Sequence, residues 1–184
     1  DEWYRMFVFI AGSHTVDVVE TAQEAYEAAK QFGRFTSNLS AMDVSRLKVT
    51  LPHFHNLALR YDQFTLELSN GNKTGITESK KLIKALVENK NILDEYHSLI
   101  NDPNIRIRVT HHDTKISNVL FDVQEKWMTV IDLDTVMPGH FFSDMGDMMR
   151  TCLRPISEEE KDFESIVIRA TVFTAIINDI MINM

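Results

Sequence analysis

One cysteine, Cys152, stands among the 184 residues. That excludes a disulfide framework and a cysteine-rich zinc site. It fits a reducing compartment, so a cytoplasmic location is expected. The six glycines nowhere form G-x-G-x-x-G, so the chain holds no glycine-rich phosphate loop of that type. No apolar run reaches the roughly 20 residues that span a bilayer. Basic residues are in deficit: 19 Lys and Arg against 27 Asp and Glu leave a net charge of −8. A nucleic-acid surface shows a basic stripe, and anionic lipid repels such a balance, so neither partner is expected. The length suffices for one domain with a real core.

The pattern along the chain reads as mostly helical. Residues 3–10 are rich in aromatic and branched types and predict a buried strand, closed by the turn Ala11-Gly12-Ser13. Thr21-Ala22-Gln23-Glu24 is a capping box, opening a helix with Ala22, Ala25, Tyr26, Ala29, Phe32 and Phe35 on one stripe. Pro52 is expected to open a second helix, with Leu57, Tyr61, Phe64 and Leu68 inward and Asn70-Gly71-Asn72 at its end. One long helix is expected from about Thr77 to Ile100, stopped by Asn101-Asp102-Pro103-Asn104. Strands over 118–123 and 127–133, joined by Gln124-Glu125-Lys126, predict an antiparallel hairpin. A helix near Ser143–Leu153 follows, stopped by Pro155. A second capping box, Ser157-Glu158-Glu159-Glu160, opens a terminal helix. Asp1 heads a strand-like run, and Ile166 to Met184 is still periodic where it stops, so the chain is expected to be a piece of a longer protein.

Two runs carry chemistry. His111-His112-Asp113-Thr114-Lys115-Ile116-Ser117-Asn118 reads H-x-D-x-K-x-x-N, and Val130-Ile131-Asp132-Leu133-Asp134 is an apolar strand ending in acids. Pairing Val123 with Trp127 puts Asn118 opposite Asp132, with Asp134 two residues further on the same face. One amide oxygen and one or two carboxylates then converge, a hard-oxygen set that suits Mg²⁺. Asp113, in the loop entering the hairpin, is placed to accept a proton from an attacking hydroxyl. Lys115 is placed to neutralise a transferred phosphoryl group. Positioning and charge stabilisation are most of what phosphoryl transfer asks of a protein.

Plainer readings stand beside these. Asp113 is also a turn-capping type, and Asp134 divides evenly between a metal neighbourhood and local capping. Lys115 also reads as a solvated lysine. His111 reads as a structural tie rather than an acid or base, and His112 as solvent-facing. His53 and His55 form an H-x-H pair that is a weak metal candidate. Met145, Met148 and Met149 read as core filler. Asp144, Asp147 and Arg150 read as a helix cap and a surface pair.

At these runs the chain resembles the aminoglycoside phosphotransferase and choline kinase superfamily. The likeness is greater to the N-acetylhexosamine 1-kinase branch. It extends to Val119-Leu120, Thr135-Val136-Met137-Pro138-Gly139, Asp144-Met145-Gly146-Asp147, Pro52-His53-Phe54-His55-Asn56 with Arg60, and Trp3-Tyr4-Arg5-Met6 leading to Phe9-Ile10. The resemblance implies an α+β fold: a protein-kinase-like C-terminal lobe, mostly helical, with a small β-hairpin bearing the site. Residues 1–12 would be the last strand of a small lobe and the hinge, and 13–184 the catalytic lobe, shortened at its end. The rest of the small N-terminal lobe would be absent, so the isolated chain is not expected to turn over.

By position, Asp113 would be the catalytic base, Asn118 and Asp132 would hold magnesium, and Asp134 would support them or the substrate. Phe9, Ile10 and Ala11 would face adenine, and Asp144 would steady the catalytic loop through backbone amides. The implied reaction is transfer of the ATP γ-phosphate, with Mg²⁺, to a sugar hydroxyl, the anomeric hydroxyl of an N-acetylhexosamine. Alternatives are a phosphotransferase acting on an aminoglycoside, a choline-like alcohol or another sugar, or an inert lobe serving as scaffold.

Overall fold

A computed structural model describes residues 4, 6–124, 126–154 and 167–183, without the side chains of 127 and 179–183. Pro155 and the expected Ser157–Glu160 capping box lie outside the described residues. The elements run α1 (Ala22–Asn38), α2 (Leu57–Asn70), α3 (Lys73–Glu78), α4 (Lys80–Glu88), α5 (Ile92–Ile100), β1 (Ile107–Thr110), β2 (Val119–Phe121), β3 (Trp127–Val130), β4 (Met137–His140), α6 (Phe141–Cys152) and α7 (Ala170–Asn183). Helices thus dominate, with two small two-stranded sheets, β1 with β4 and β2 with β3. The chain divides into two compact units, one of Asp1–Lys48 with Arg108–Met184, the other of Val49–Ile107.

The first unit holds the core. Thr21 caps α1 as its sequence predicts: its hydroxyl accepts from Glu24 N–H at 3.2 Å. Ala25, Ala28, Ala29 and Phe32 bury one α1 stripe against Val19, Val119, Phe121, Met148, Val172 and Ile176. Each large side chain sealed this way contributes about 1.5–3 kcal/mol. Small alanines on α1 let α7 approach closely, and Arg169 ties the start of α7 to Cys152 O at 2.8 Å. Burial pushes the Cys152 thiol up to about 11, which leaves it an inert core atom. Met148 is buried and Met145 and Met149 pack on the same core, as filler.

In the second unit, α2 starts at Leu57 with Asn56 as N-cap, Asn56 Oδ1 accepting from Leu59 N–H at 3.0 Å. Pro52 sits in the turn before it rather than at its start. The better capping residue wins, because Asn satisfies an orphan amide and Pro cannot. Leu57, Tyr61, Phe64 and Leu68 are the half-buried stripe. The expected long helix is three pieces. Ser79 separates α3 from α4, and Asn89 ends α4 by turning its side-chain amide onto Ala85 O at 2.8 Å. Asn competes with the helix for its own backbone, which breaks the run the apolar spacing predicts.

Residues 6–10 form no strand, contrary to expectation, and take no part in either sheet. Met6, Val8 and Phe9 are 96, 90 and 85% exposed. Strand propensity is context-dependent, and without a ladder it fixes nothing. The turn at Ala11-Gly12 does form: Gly12 has φ +74°, which glycine adopts without strain, and Ser13 Oγ donates to Ile10 O at 2.7 Å. His14 then bridges to Phe121 with paired backbone bonds of 3.0 Å, bringing the segment to the edge of β2.

Candidate active site

The site loop runs from the end of β1 to the start of β2. Its backbone is held at several points. The Asp144 carboxylate, 2% exposed in the first turn of α6, accepts His111 N–H and His112 N–H, each at 2.8 Å. Two charge-assisted bonds to consecutive amides fix the loop's direction. Thr114 Oγ1 donates to Asp144 O at 2.7 Å, and Thr114 N–H donates to Asp147 Oδ2 at 2.7 Å. Asp147 is itself steadied by Arg150 at 2.7 Å. Asp147 is therefore a loop anchor as well as half of a surface pair. Its i, i+3 spacing from Asp144, on one helix face, is the signal for it.

His111 is fully buried and structural, as read. Its Nδ1 accepts Asp113 N–H at 3.3 Å, so Nε2 carries the proton and donates to Ile131 O at 3.0 Å. Its ring meets Phe32 and Phe35 edge-on at 5.2 and 5.6 Å. Burial pushes its pKa below the usual 6.5, against opposing pulls from the Ile131 carbonyl and from Asp113, Asp132 and Asp147. Thr135 Oγ1 donates to His111 O at 2.6 Å.

His112 does not face solvent. It is 6% exposed with φ 68°, and its Nε2 meets Thr110 Oγ1 at 2.7 Å. That hydroxyl donates onward to Met137 O at 3.0 Å, so Nε2 is the donor to it. Gly139 makes the close approach possible: a Cβ there would lie 2.6 Å from His112 Nε2 and collide with Thr110 Oγ1.

The chemical residues lie on this frame. Asp113, Lys115 and Asn118 are brought together. Asn118 Nδ2 donates to Asp113 Oδ2 and to Asp113 O, both at 2.9 Å, and Lys115 Nζ pairs with Asp113 Oδ2 at 3.0 Å. Asn118 closes a 3-10 turn, Ile116–Asn118, and is 4% exposed, so its geometry is fixed.

The hairpin forms, but in a different register. Val119 pairs Val130, Leu120 pairs Thr129 and Phe121 pairs Trp127, with a bulge between Leu120 and Phe121. Asp122 starts the turn early, its carboxylate accepting Gln124 N–H and Lys126 N–H at 2.8 and 2.9 Å. Asn118 therefore stands across from Ile131, whose N–H donates to Asn118 O at 2.9 Å, and not across from Asp132. Asp132 has left-handed backbone, φ 59° and ψ 64°, which ends the ladder and turns the chain into the 3-10 turn Leu133–Thr135. Asp132 and Asp134 are both exposed. Asp132 lies near enough to act on the charge of His111, one strand-end from Asn118. Phe9, Ile10 and Ala11 lie on the segment that the His14 bridge carries to β2.

The donor chemistry fits a hard cation. Asn118 commits its nitrogen to Asp113, which leaves its amide oxygen, and Asp132 and Asp134 present carboxylates at the solvent edge. Among the described residues no group of three or more His, Cys, Asp or Glu is gathered for a metal ion. A partial oxygen set of this kind suits Mg²⁺, which keeps waters and takes further ligands from substrate phosphate.

In a comparison with family models, the one described as phosphotransferase enzyme family matches residues 2–162, most of the chain.

Proposed function

The chain belongs to the phosphotransferase enzyme family, and we propose that it serves ATP- and Mg²⁺-dependent transfer of a phosphoryl group to a sugar hydroxyl, the anomeric hydroxyl of an N-acetylhexosamine. The observation that carries this is the Asn118 amide clamped on Asp113, with Lys115 at 3.0 Å, on a loop fixed by Asp144. A carboxylate immobilised this way is oriented for one task, accepting the proton of an incoming hydroxyl. Lys115 holds positive charge beside it, for the oxygens of the group in transfer.

Asn118 Oδ1, Asp132 and Asp134 would hold the magnesium, which when bound neutralises phosphate charge. Asn118 then has two duties: its nitrogen orients the base while its oxygen faces the cation. Phe9, Ile10 and Ala11 give adenine a backbone edge in this reading, supported by the bridge that brings their segment to the site hairpin. The sugar assignment rests on the resemblance of the runs around Asp113 and Asp132 to the N-acetylhexosamine 1-kinase branch.

The test is a substrate panel on the complete natural gene product with ATP and Mg²⁺: N-acetylglucosamine, N-acetylgalactosamine, kanamycin and choline. Phosphate transfer to the two N-acetylhexosamines, abolished in Asp113→Asn with folding intact, is expected. Transfer to kanamycin or choline instead would move the acceptor. Full turnover by Asp113→Asn would remove Asp113 from its role.

A further inference from the structure

Three non-glycine residues among those described have left-handed backbone: His53, His112 and Asp132. His112, with φ 68°, immediately precedes Asp113. A residue with a Cβ avoids that region unless its surroundings compel it, and such residues gather where geometry serves function. Here the compulsion is visible. His112 N–H donates to Asp144 Oδ1 at 2.8 Å. Its ring Nε2 donates to Thr110 Oγ1 at 2.7 Å, and that hydroxyl donates to Met137 O at 3.0 Å. Thr110 ends β1 and Met137 begins β4, the two strands of one sheet, so the ring is anchored to that sheet. Gly139 leaves the room that the ring fills. Thr110 and His112 are both buried, so neither is open to a substrate.

We propose that the Thr110–His112 pair aims Asp113: by holding His112 left-handed, it directs the Asp113 carboxylate onto Asn118 and Lys115. Both are positioning residues, and the inference rests on the reading of Asp113 as the base. The Asp144 bonds fix the amides of His111 and His112, which lie before the φ rotation of His112. The ring hangs from the Cα beyond that bond, so its anchor on Thr110 fixes the rotation itself. The ordinary helical well lies near φ −63°, so relaxation of His112 would turn the backbone by roughly 130° just ahead of Asp113. The carboxylate would then leave Asn118 Nδ2, now at 2.9 Å, and Lys115 Nζ, now at 3.0 Å.

The experiment uses the complete natural gene product with ATP, Mg²⁺ and the acceptor it phosphorylates. Thr110→Val removes the hydroxyl at nearly constant shape. Its kcat should fall about fivefold to tenfold with KM for ATP and acceptor unchanged, and Thr110→Ser should recover most of the loss. Unchanged kcat, or a change confined to KM, would overturn the proposal. His112→Gly and His112→Ala separate backbone from packing. Alanine is ordinarily the more stabilising of the two, but in left-handed backbone the order reverses. His112→Gly should therefore melt higher than His112→Ala and turn over at least about fivefold faster. Alanine equal or better in either measurement would make His112 core filler. A third readout needs no turnover: the ¹⁵N-labelled Asn118 side-chain amide should shift in Thr110→Val and return in Thr110→Ser, and an unmoved signal would refute the aim. If the parent phosphorylates no acceptor, the proposed reaction falls, while the Asn118 signal and the melting order still decide the role of His112. If the His112 variants do not fold, the Thr110 pair decides it.

Discussion

Asp144→Asn is the sharpest perturbation of the site loop. Asp144 spends both carboxylate oxygens on backbone amides, His111 N–H and His112 N–H at 2.8 Å each, while 2% exposed. Asparagine has nearly the same shape but one oxygen. Whichever amide meets the new NH2 group loses its acceptor and faces a donor. A hydrogen bond to a charged group is worth about 1.5–3 kcal/mol. The surviving bond drops to roughly half its strength as the charge disappears. The carboxylate's interaction with the α6 N-terminus, about 0.3–1 kcal/mol, goes too. Together these give a destabilisation centred on about 4 kcal/mol, a large share of a typical domain's 5–15 kcal/mol.

With a urea slope of about 2–3 kcal/mol/M for a chain this size, the midpoint should fall by about 1–2 M. Far-UV circular dichroism against urea reads that shift. Asp147→Asn is the internal control. It loses one amide bond at 2.7 Å and an ion pair whose arginine is 52% exposed, so its midpoint should fall by clearly less. A midpoint for Asp144→Asn within about 0.3 M of the parent would refute the claim that this carboxylate carries the loop.

Further outcomes follow from the same geometry. Gly139→Ala drives a methyl into the His112 ring and Thr110 Oγ1, and should cost about 1–3 kcal/mol by thermal unfolding. A neutral response would mean that the loop yields there. His111 is held neutral because burial lowers its pKa below 6.5. The unfolded chain takes up that proton first, so the contribution is complete above pH 6.5 and is lost as pH falls toward the folded pKa. The decline of stability below pH 6.5 should be shallower in His111→Gln, read by urea titrations at several pH values. Lys115→Met removes a half-exposed ion pair, so stability should move by less than about 1 kcal/mol. Phosphoryl transfer by the natural gene product should still drop at least about tenfold. Unchanged turnover would return Lys115 to the status of a solvated lysine.

What the sequence discloses here is what local chemistry decides. The Thr21 capping box, the Gly12 turn and the Asp102 breaker act over three or four residues, and each forms as read. Asp113, Lys115 and Asn118 lie within six positions of one another, so their convergence needs only a tight loop. The N-terminal run carries strand-forming residues, but a strand is a relation between two segments, and no ladder in either sheet includes its described residues. The helix break at Asn89 depends on a side chain competing for backbone, an effect smaller than the apolar spacing that argues for continuity.

Register shows the limit most clearly. Hydrophobic alternation predicts that a hairpin exists, but turn geometry decides which residues face each other. One carboxylate, Asp122, takes two loop amides and closes the turn early, and a bulge then restores part of the offset. The result is that Asn118 meets Ile131. Asp132 and Asp134 lie beyond the ladder, where left-handed backbone at Asp132 redirects the chain. The residues that hold the loop, Asp144 and Asp147, lie some thirty positions downstream of it. Spacing within the loop cannot reveal them. Their own spacing can: two acids at i, i+3 in the first turns of a helix, next to buried Met148, form a face turned inward, and buried carboxylates require donors. The donors free to answer are the amides of a loop that is neither helix nor strand. The same physics that makes the loop unreadable as secondary structure thus makes its anchors readable as acids in need of partners.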